Sequence, residues 1–221
     1  MFSVAIDGPA GAGKSSVAKA AAQRLGFVYV DTGALYRTIG LYLLRRGVDP
    51  KDPAAVEPLL PAIEVTLSHT PEGQKMFLNG EDVTDQIRTP EVSMAASDCS
   101  AIPAVRAALL ELQRDLARKH NVFMDGRDIG TVVLPDAPLK IFYTADAEER
   151  AKRRVLQLRE AGKPADYDAI LEDIRQRDYQ DSHRAAAPLK PAPDSVLLDT
   201  THLTFDQAVE AVIRLVEERR K

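Results

Sequence analysis

The sequence predicts an α/β fold with a parallel sheet of about five strands, helices on both faces and a small antiparallel β insert. Three observations support this class. Short apolar runs alternate with segments of helical periodicity along most of the 221 residues, which is the order of elements in a parallel α/β sheet. A glycine-rich loop separates the first apolar run from the first helical segment. Between about 60 and 90 the alternation gives way to a β pattern with a strong hairpin signal.

The loop after the first strand fits the phosphate-binding pattern G-x-x-x-x-G-K-[ST] from Gly8 to Ser15, with an apolar run over 2–6 before it and helical spacing over 15–25 after it. Glycines let backbone N–H groups point at a polyphosphate, and the positive end of the helix faces the same anion. Lys14 suits the β- and γ-phosphates, and the Ser15 hydroxyl suits Mg²⁺. The alternative is a glycine-rich turn without a ligand, but the order of strand, loop and helix favours nucleotide binding. The predicted nucleotide-binding residues of the loop are Gly8, Pro9, Ala10, Gly11, Ala12, Gly13, Lys14, Ser15 and Ser16.

The second strand and helix follow directly. Gly26 is a predicted left-handed stop for the first helix. The run 27–30 reads as a strand that leads into 31–33. Helical spacing then covers 34–46 and ends before Gly47. Because ligands of parallel α/β sheets lie beyond the carboxyl ends of the strands, both the glycine-rich loop and 31–33 are candidate site segments.

The middle of the chain reads as the antiparallel insert, flanked by short helices. Asn79-Gly80 is a two-residue hairpin signal, and a second turn is expected at 71–73. The insert strands are predicted at 63–67, 75–78 and 81–84.

The second half of the chain returns to alternating strands and helices. The last helix begins near Thr204, where Thr204 and Gln207 resemble a capping box. The segment 147–160 is a strongly basic helix. The predicted helices are 91–101, 103–119, 147–160 and 167–184, and the predicted strands are 121–125, 139–143 and 195–199.

Composition limits the possible partners. The formal net charge is 29 − 33 = −4, which argues against a protein that wraps nucleic acid. Cys99 is the only cysteine, so neither an intrachain disulfide nor a cysteine metal cluster can form. There is no signal-peptide pattern and no apolar run near the roughly 18 residues of a membrane span. We therefore expect a soluble, cytoplasmic protein that binds neither nucleic acid nor membrane.

The phosphate-binding loop leaves three classes open: a switch GTPase, a motor or transport ATPase, and a small-molecule kinase. The chain has neither an Asn-Lys-x-Asp guanine reader nor an Asp-x-x-Gly loop, and nothing in it indicates a motor. Arg37, Arg127, Arg177 and Arg184 lie near predicted strand ends, where arginine forks suit a phosphate acceptor. A single arginine would be read first as a solvated surface charge, and it is the four together that favour a phosphate acceptor.

The nature of the acceptor decides the mechanism. A phosphate monoester is already an oxyanion at neutral pH because its second pKa is near 6, so it needs no general base. A hydroxyl acceptor needs a carboxylate within proton reach, and Asp31 or Asp128 would serve. The second candidate is therefore a kinase that phosphorylates a hydroxyl of a small sugar or hydroxy-acid.

Four motifs together resemble the bacterial cytidylate kinases over essentially the whole chain: IDGPAGAGKSS (6–16), DTGALYR (31–37), VFMDGRDIGTVVLPDAPLKIF (122–142) and RDYQDSHRAAAPL (177–189). The resemblance implies transfer of the ATP γ-phosphate to CMP or dCMP in pyrimidine nucleotide metabolism, with Mg²⁺ bound alongside ATP. It also implies a single unit of the nucleoside-monophosphate-kinase type, expected as a monomer. Its expected parts are a core at about 1–33, 91–146 and 185–221, a CMP-binding region with the β insert at about 34–90, and a helical lid at about 147–184.

The resemblance also implies roles for individual residues. Lys14, Arg127 and Arg184 would be catalytic, and Ser15 would reach the metal, with a direct or water-mediated part for Asp125 left open. The acceptor phosphate would contact Arg37, Arg127 and Arg184. The cytosine would contact Ser97, Arg106 and Asp128. The ribose would contact Asp181, with Arg177 nearby. Thr32, where the family often has serine, would lie near the acceptor. The basic cluster Arg150, Arg153 and Arg154 fits the lid, with Arg154 expected at ATP, although without the resemblance it reads as a solvated helix face.

Overall fold

The computed structural model of the protein describes residues 1–70 and 73–220. Eight strands and eight α-helices lie in this part of the chain. The strands are β1 Ser3–Asp7, β2 Val28–Asp31, β3 Val65–Thr70, β4 Gly73–Leu78, β5 Glu81–Asp82, β6 Val122–Gly126, β7 Leu139–Thr144 and β8 Val196–Asp199. The helices are α1 Lys14–Leu25, α2 Thr32–Arg45, α3 Pro53–Val56, α4 Pro90–Cys99, α5 Pro103–Lys119, α6 Ala147–Glu160, α7 Tyr167–His183 and α8 Phe205–Arg220.

The predicted fold class is confirmed. Five strands form a parallel sheet in the order β2-β6-β1-β7-β8, and three form the antiparallel sheet β3-β4-β5. Ala5 of the central strand lies opposite Met124 on one side and Lys140 on the other. The side chains of Val4, Ala5 and Ile6 are fully buried, as expected of a strand with partners on both edges and helices on its faces.

The chain divides into two compact units. One covers 28–120 together with Met1, and the other covers 2–27 and 121–220. We call the first the insert unit, because it contains the antiparallel sheet, and the second the loop unit, because it contains the glycine-rich loop. This division does not test the predicted core, acceptor and lid segments, which stay a prediction.

In the insert unit, the core is built where α2 packs on α4. Gly40 allows this close packing, since a Cβ there would lie only 2.9 Å from the backbone nitrogen of Ala96. The Asn79-Gly80 hairpin is confirmed: both residues have positive φ (50° and 83°), as the tight turn between β4 and β5 requires. Of the turn expected at 71–73, residues 71 and 72 lie outside the described residues.

Several element boundaries are set by local hydrogen bonds. Helix α2 begins at Thr32, two residues before the predicted start, because the Asp31 carboxylate accepts a hydrogen bond from the backbone N–H of Ala34. At α8 the capping box is confirmed, since the Thr204 hydroxyl accepts from the Gln207 N–H and the Gln207 side chain accepts from the Thr204 N–H. Within the described residues, no helix has both the length and the apolar character that a membrane crossing requires.

Candidate active site

The glycine-rich loop has the backbone shape of an anion receptor. Gly11 and Gly13 adopt φ of 72° and 91°, values that favour glycine. A side chain at Gly8 is impossible without rearrangement, because its Cβ would lie 1.9 Å from the carbonyl oxygen of Tyr143 on β7. Gly13 precedes α1, and no described side chain caps the first turn of this helix. The first amides of α1 therefore remain available to an anionic ligand.

Lys14 lies inside this loop. Its side chain is only 4% exposed, and its ammonium donates a hydrogen bond of 2.8 Å to the carbonyl oxygen of Pro9. Burial, and then the nearby positive charge of Arg127, lower the pKa of Lys14 to about 7, although Asp125 favours the charged form. The ammonium is thus buried beside Arg127 as well as beside carboxylates, and a bound anion would further favour its charged form.

Ser15 and Asp125 place two oxygen-bearing side chains next to each other at the start of α1. The Ser15 hydroxyl donates to the Asp125 carboxylate at 2.7 Å, across 110 residues of sequence. Their oxygens are of the kind that Mg²⁺ binds, and the ion usually keeps waters and substrate phosphates as its other ligands. Among residues 1–70 and 73–220, no group of three or more histidine, cysteine, aspartate or glutamate side chains could hold a metal ion.

Asp7, at the end of β1, is a site residue that sequence reasoning missed. Its two carboxylate oxygens accept hydrogen bonds from the backbone N–H groups of Ile129 and Gly130, each 2.7 Å long. Burial raises the pKa of Asp7 to about 6, although these two bonds favour the ionised form. Since Ile129 directly follows Asp128, Asp7 fixes the backbone of the segment that carries the predicted base reader.

A charged cluster lies beyond the end of β6 in the loop unit. Arg127 donates to Asp181 of α7 at 2.6 Å, and a nitrogen of Arg184 lies 3.8 Å from a carboxylate oxygen of Asp128. Burial raises the pKa of Asp181, but Arg127 outweighs it and the pKa lies below its usual value. Arg177 is also close, and burial followed by repulsion from Arg127 lowers its pKa. The loop unit thus brings the predicted Arg127, Arg177, Asp181 and Arg184 close to one another, with Asp128 beside Arg184. Of this cluster, Arg127 and Asp181 act electrostatically on Lys14.

The three arginines of the predicted lid have different environments. Arg150 is buried, donates to the carbonyl oxygens of Ala10 (2.9 Å) and Ala145 (2.8 Å), and forms a two-pronged ion pair with Asp178 of α7. Arg153 donates to the carbonyl oxygen of Thr200 at 2.8 Å. Arg154 is exposed and donates to Gln157 on its own helix, so its contact with ATP stays a prediction.

In the insert unit, Arg37 of α2 pairs at 2.7 Å with Asp31, the residue that caps the start of this helix. Thr32 is buried at the first position of the same helix. Gly33 lies between them, and a Cβ there would be 3.0 Å from a terminal nitrogen of Arg37. Gln74 of β4 bonds to the main chain of Asp31, which sequence patterns did not predict.

Ser97 and Arg106, the other two predicted acceptor residues, lie on α4 and at the start of α5. Arg106 donates to the carbonyl oxygen of Ser100 at 3.2 Å and lies over the Tyr36 ring. The Ser97 carbonyl oxygen accepts from the Ser100 hydroxyl. The two residues thus share Ser100 as a neighbour within the insert unit, and their contact with cytosine stays a prediction.

Comparisons with known proteins agree on one family. Residues 4–218 match the family model described as cytidylate kinase. A cytidylate kinase of Caldicellulosiruptor saccharolyticus is 48% identical over 214 residues, which cover 97% of this chain and 95% of that protein. A cytidylate kinase of Pseudomonas aeruginosa is 50% identical over 218 residues, which cover 98% of this chain and 95% of that protein. The crystal structure of an uncharacterized protein from Eubacterium ventriosum aligns over 98% of this chain and 99% of that one, with a TM-score of 0.54 and 15% identity, which is a likeness of fold.

Proposed function

The chain belongs to the cytidylate kinase family, and from that premise we propose that it transfers the γ-phosphate of ATP to CMP or dCMP, giving CDP or dCDP and ADP. In this reaction an oxygen of the acceptor phosphate forms a bond to the γ-phosphorus. The bond from that phosphorus to the bridging oxygen breaks, and its electron pair leaves with ADP. The relatives do not favour the second candidate, a kinase of sugar or hydroxy-acid hydroxyls.

The observation that carries this proposal is the buried cluster around Lys14 in the loop unit. Lys14 lies inside the phosphate-binding loop, and Arg127 is close enough to lower its pKa. An ammonium and a guanidinium that repel each other are each stabilised when anions come between them. Donor and acceptor phosphates supply that charge, and Arg184 adds a third cation next to Asp128.

No general base is required of the protein. The CMP phosphate is already ionised at neutral pH, so catalysis consists of alignment and neutralisation of charge. We assign Lys14, Arg127 and Arg184 to the charge that spreads over the transferred group, and Arg37 to the acceptor phosphate. Arginine forks bind such oxygens in two-pronged fashion.

The base and the ribose are assigned to the remaining residues. Asp128 would accept a hydrogen bond from the 4-amino group of cytosine, and Ser97 and Arg106 would donate to its acceptors. Asp181, held by Arg127 at 2.6 Å, would meet the ribose hydroxyls with Arg177 beside it. Thr32 is placed near the acceptor nucleotide.

Magnesium fits the residues present. Bound with ATP, the ion would be held by Ser15, and by Asp125 directly or through water, and would supply neutralisation of phosphate charge. We further propose that the enzyme acts as a monomer in the cytoplasm on small-molecule substrates of pyrimidine nucleotide metabolism, without nucleic acid or membrane. The net charge of −4 supports the absence of a nucleic-acid partner.

The deciding experiment is an acceptor panel with Mg²⁺-ATP: CMP, dCMP, UMP, AMP, shikimate and gluconate. We expect transfer to CMP or dCMP at a kcat/KM far above that for the other acceptors, and loss of transfer in Lys14→Met with the fold retained by circular dichroism. Transfer to a hydroxy-acid and none to CMP would establish the second candidate instead. Binding of Mg²⁺-ATP without transfer to any acceptor would indicate a binding protein.

A further inference from the structure

We propose that Gln74 of the β insert is a positioning residue for the acceptor phosphate, acting through Asp31 on Arg37. This inference rests on the proposed function, because it takes the phosphate of CMP as the group that Arg37 meets. The antiparallel insert would then contribute to substrate binding, because its strand β4 carries the side chain of Gln74, which orients Arg37.

The amide of Gln74 brackets the main chain of Asp31. The Gln74 Oε1 accepts from the Asp31 N–H at 2.9 Å, and the Gln74 Nε2 donates to the Asp31 carbonyl oxygen at 3.2 Å. The same Nε2 lies 3.0 Å from the sulfur of Met76. A primary amide is the side-chain group that can accept and donate in this parallel arrangement, as a neighbouring strand would. Gln74 therefore fixes Asp31 at both of its backbone polar groups.

Asp31 passes this constraint to Arg37 through its carboxylate. One oxygen accepts from the backbone N–H of Ala34 at 3.0 Å and begins α2. The other accepts from a terminal nitrogen of Arg37 at 2.7 Å. Because the carboxylate is tied on both sides, the direction of the guanidinium is set by the position of the Asp31 backbone. That backbone is the part that Gln74 holds.

Arg37 retains donors that the insert unit does not use. Its Nε is buried and has no hydrogen-bond partner among the described residues. Gly33 backs the guanidinium so closely that a Cβ there would lie 3.0 Å from Nη1. A buried donor without an acceptor costs free energy, and the oxygens of a phosphate would satisfy it with charge assistance. The arrangement thus presents a fixed fork rather than a mobile side chain, which reduces the entropy lost on binding.

The test separates the phosphate from the nucleoside. Gln74→Leu removes both bonds to Asp31, and Gln86→Leu is the matched control. Gln86 lies in the same unit and bonds to Arg45 and Glu81, away from Asp31. The measurements are Kd for CMP, inhibition by cytidine, which lacks the phosphate, and KM for ATP. We expect Gln74→Leu to weaken CMP binding about 5- to 30-fold, with cytidine inhibition and KM for ATP within about twofold of the starting protein. Gln86→Leu should leave all three unchanged.

A double substitution tests the route. In an Arg37→Ala background, Gln74→Leu should weaken CMP binding no further, because its effect passes through Arg37. If Gln74→Leu does not fold, Gln74→Met replaces it: it keeps the length of the side chain, loses both hydrogen bonds to Asp31 and adds no charge, and it should show the same CMP-selective loss. Equal loss of CMP and cytidine, or a full additional loss in the Arg37→Ala background, would overturn the inference while the starting protein still phosphorylates CMP. A starting protein that does not phosphorylate CMP would overturn the proposed function itself.

Discussion

At the scale of single residues, the proposed role of Lys14 would link nucleotide binding to protonation. Burial and the neighbouring Arg127 lower the pKa of Lys14 to about 7, so its neutral form is far more accessible than that of an exposed lysine. The phosphates of a bound nucleotide favour the ammonium, so binding raises the pKa of Lys14. Above pH 7 the complex therefore holds more protons than the free protein, and affinity must fall as pH rises.

We predict that the Kd for Mg²⁺-ATP rises up to about tenfold per pH unit between pH 7 and 9. Calorimetric titration in buffers of different ionisation enthalpy should show proton uptake on binding, and the uptake should increase as the pH is raised above 7. Lys14→Met should remove this uptake. An uptake that persists in Lys14→Met would assign the proton to another group.

We have proposed that Asp128 reads the base. A carboxylate facing the 4-amino group of cytosine meets a carbonyl oxygen in uracil, and two acceptors without a hydrogen between them repel. We predict that Asp128→Ala reduces the ratio of kcat/KM for CMP over UMP by at least about tenfold. Asp136→Ala, an exposed aspartate further along the same segment, is the control and should leave the ratio unchanged. A ratio unchanged in Asp128→Ala would remove this residue from base reading.

At the scale of elements, Arg150 ties helix α6 to both the glycine-rich loop and helix α7. Its guanidinium is buried and donates hydrogen bonds to the carbonyl oxygens of Ala10 and Ala145 and to the carboxylate of Asp178. Removing Asp178 leaves a buried positive charge with only carbonyl partners, which is costly. A second pair, Arg175 with Glu148, joins the same two helices at the surface and is exposed on both sides.

We predict that Asp178→Ala lowers the free energy of unfolding by about 2–3 kcal/mol. Glu148→Ala should have little measurable effect, because exposed ion pairs contribute little. Urea denaturation of both variants measures the difference. Equal effects of the two substitutions would contradict a special role for the buried pair.

Local patterns predicted the elements well where a local signal marks their ends. Helices α5 and α6 have the predicted bounds, since Pro103 and the change of composition after Glu160 mark them in sequence. β5 is shorter than the predicted 81–84, because the Asp82 carboxylate accepts from both the N–H and the hydroxyl of Thr84 and turns the chain. Such hydrogen bonds from a side chain to the nearby backbone compete with strand pairing, and they do not alter the hydrophobic periodicity of the sequence.

The candidate site was predictable only in part. The glycine-rich loop is recognisable within eight residues. The roles of Asp7 and Gln74, and the contacts of Arg150, became visible only in the folded structure. Asp7 contacts Ile129 across 122 residues, and Arg150 contacts Ala10 across 140. Gln74 reaches Asp31 across 43. No spacing pattern in a single sequence reveals such contacts, because they depend on the order of the strands in the sheet and on the way the loops fold back.

At the scale of the whole molecule, ligand binding and stability are linked, because a ligand that binds only the folded chain stabilises it. At a CMP concentration about 100-fold above its Kd, we predict about 2.7 kcal/mol of added stability and a rise in Tm of a few degrees. UMP at the same concentration should give a smaller rise. Thermal scans followed by circular dichroism measure both, and equal rises would contradict selective reading of cytosine.

The contact between Gly8 and Tyr143 has a consequence for both folding and phosphate binding. The two backbones leave no room for even a methyl group between them. The conformation at the start of the loop is therefore set when the sheet forms, independently of a ligand. A triphosphate that binds there would have to replace the hydrogen bond between the Lys14 ammonium and the Pro9 carbonyl oxygen. A larger residue at position 8 would therefore impair both folding and phosphate binding, since the backbone contact between Gly8 and Tyr143 shapes both the sheet and the loop.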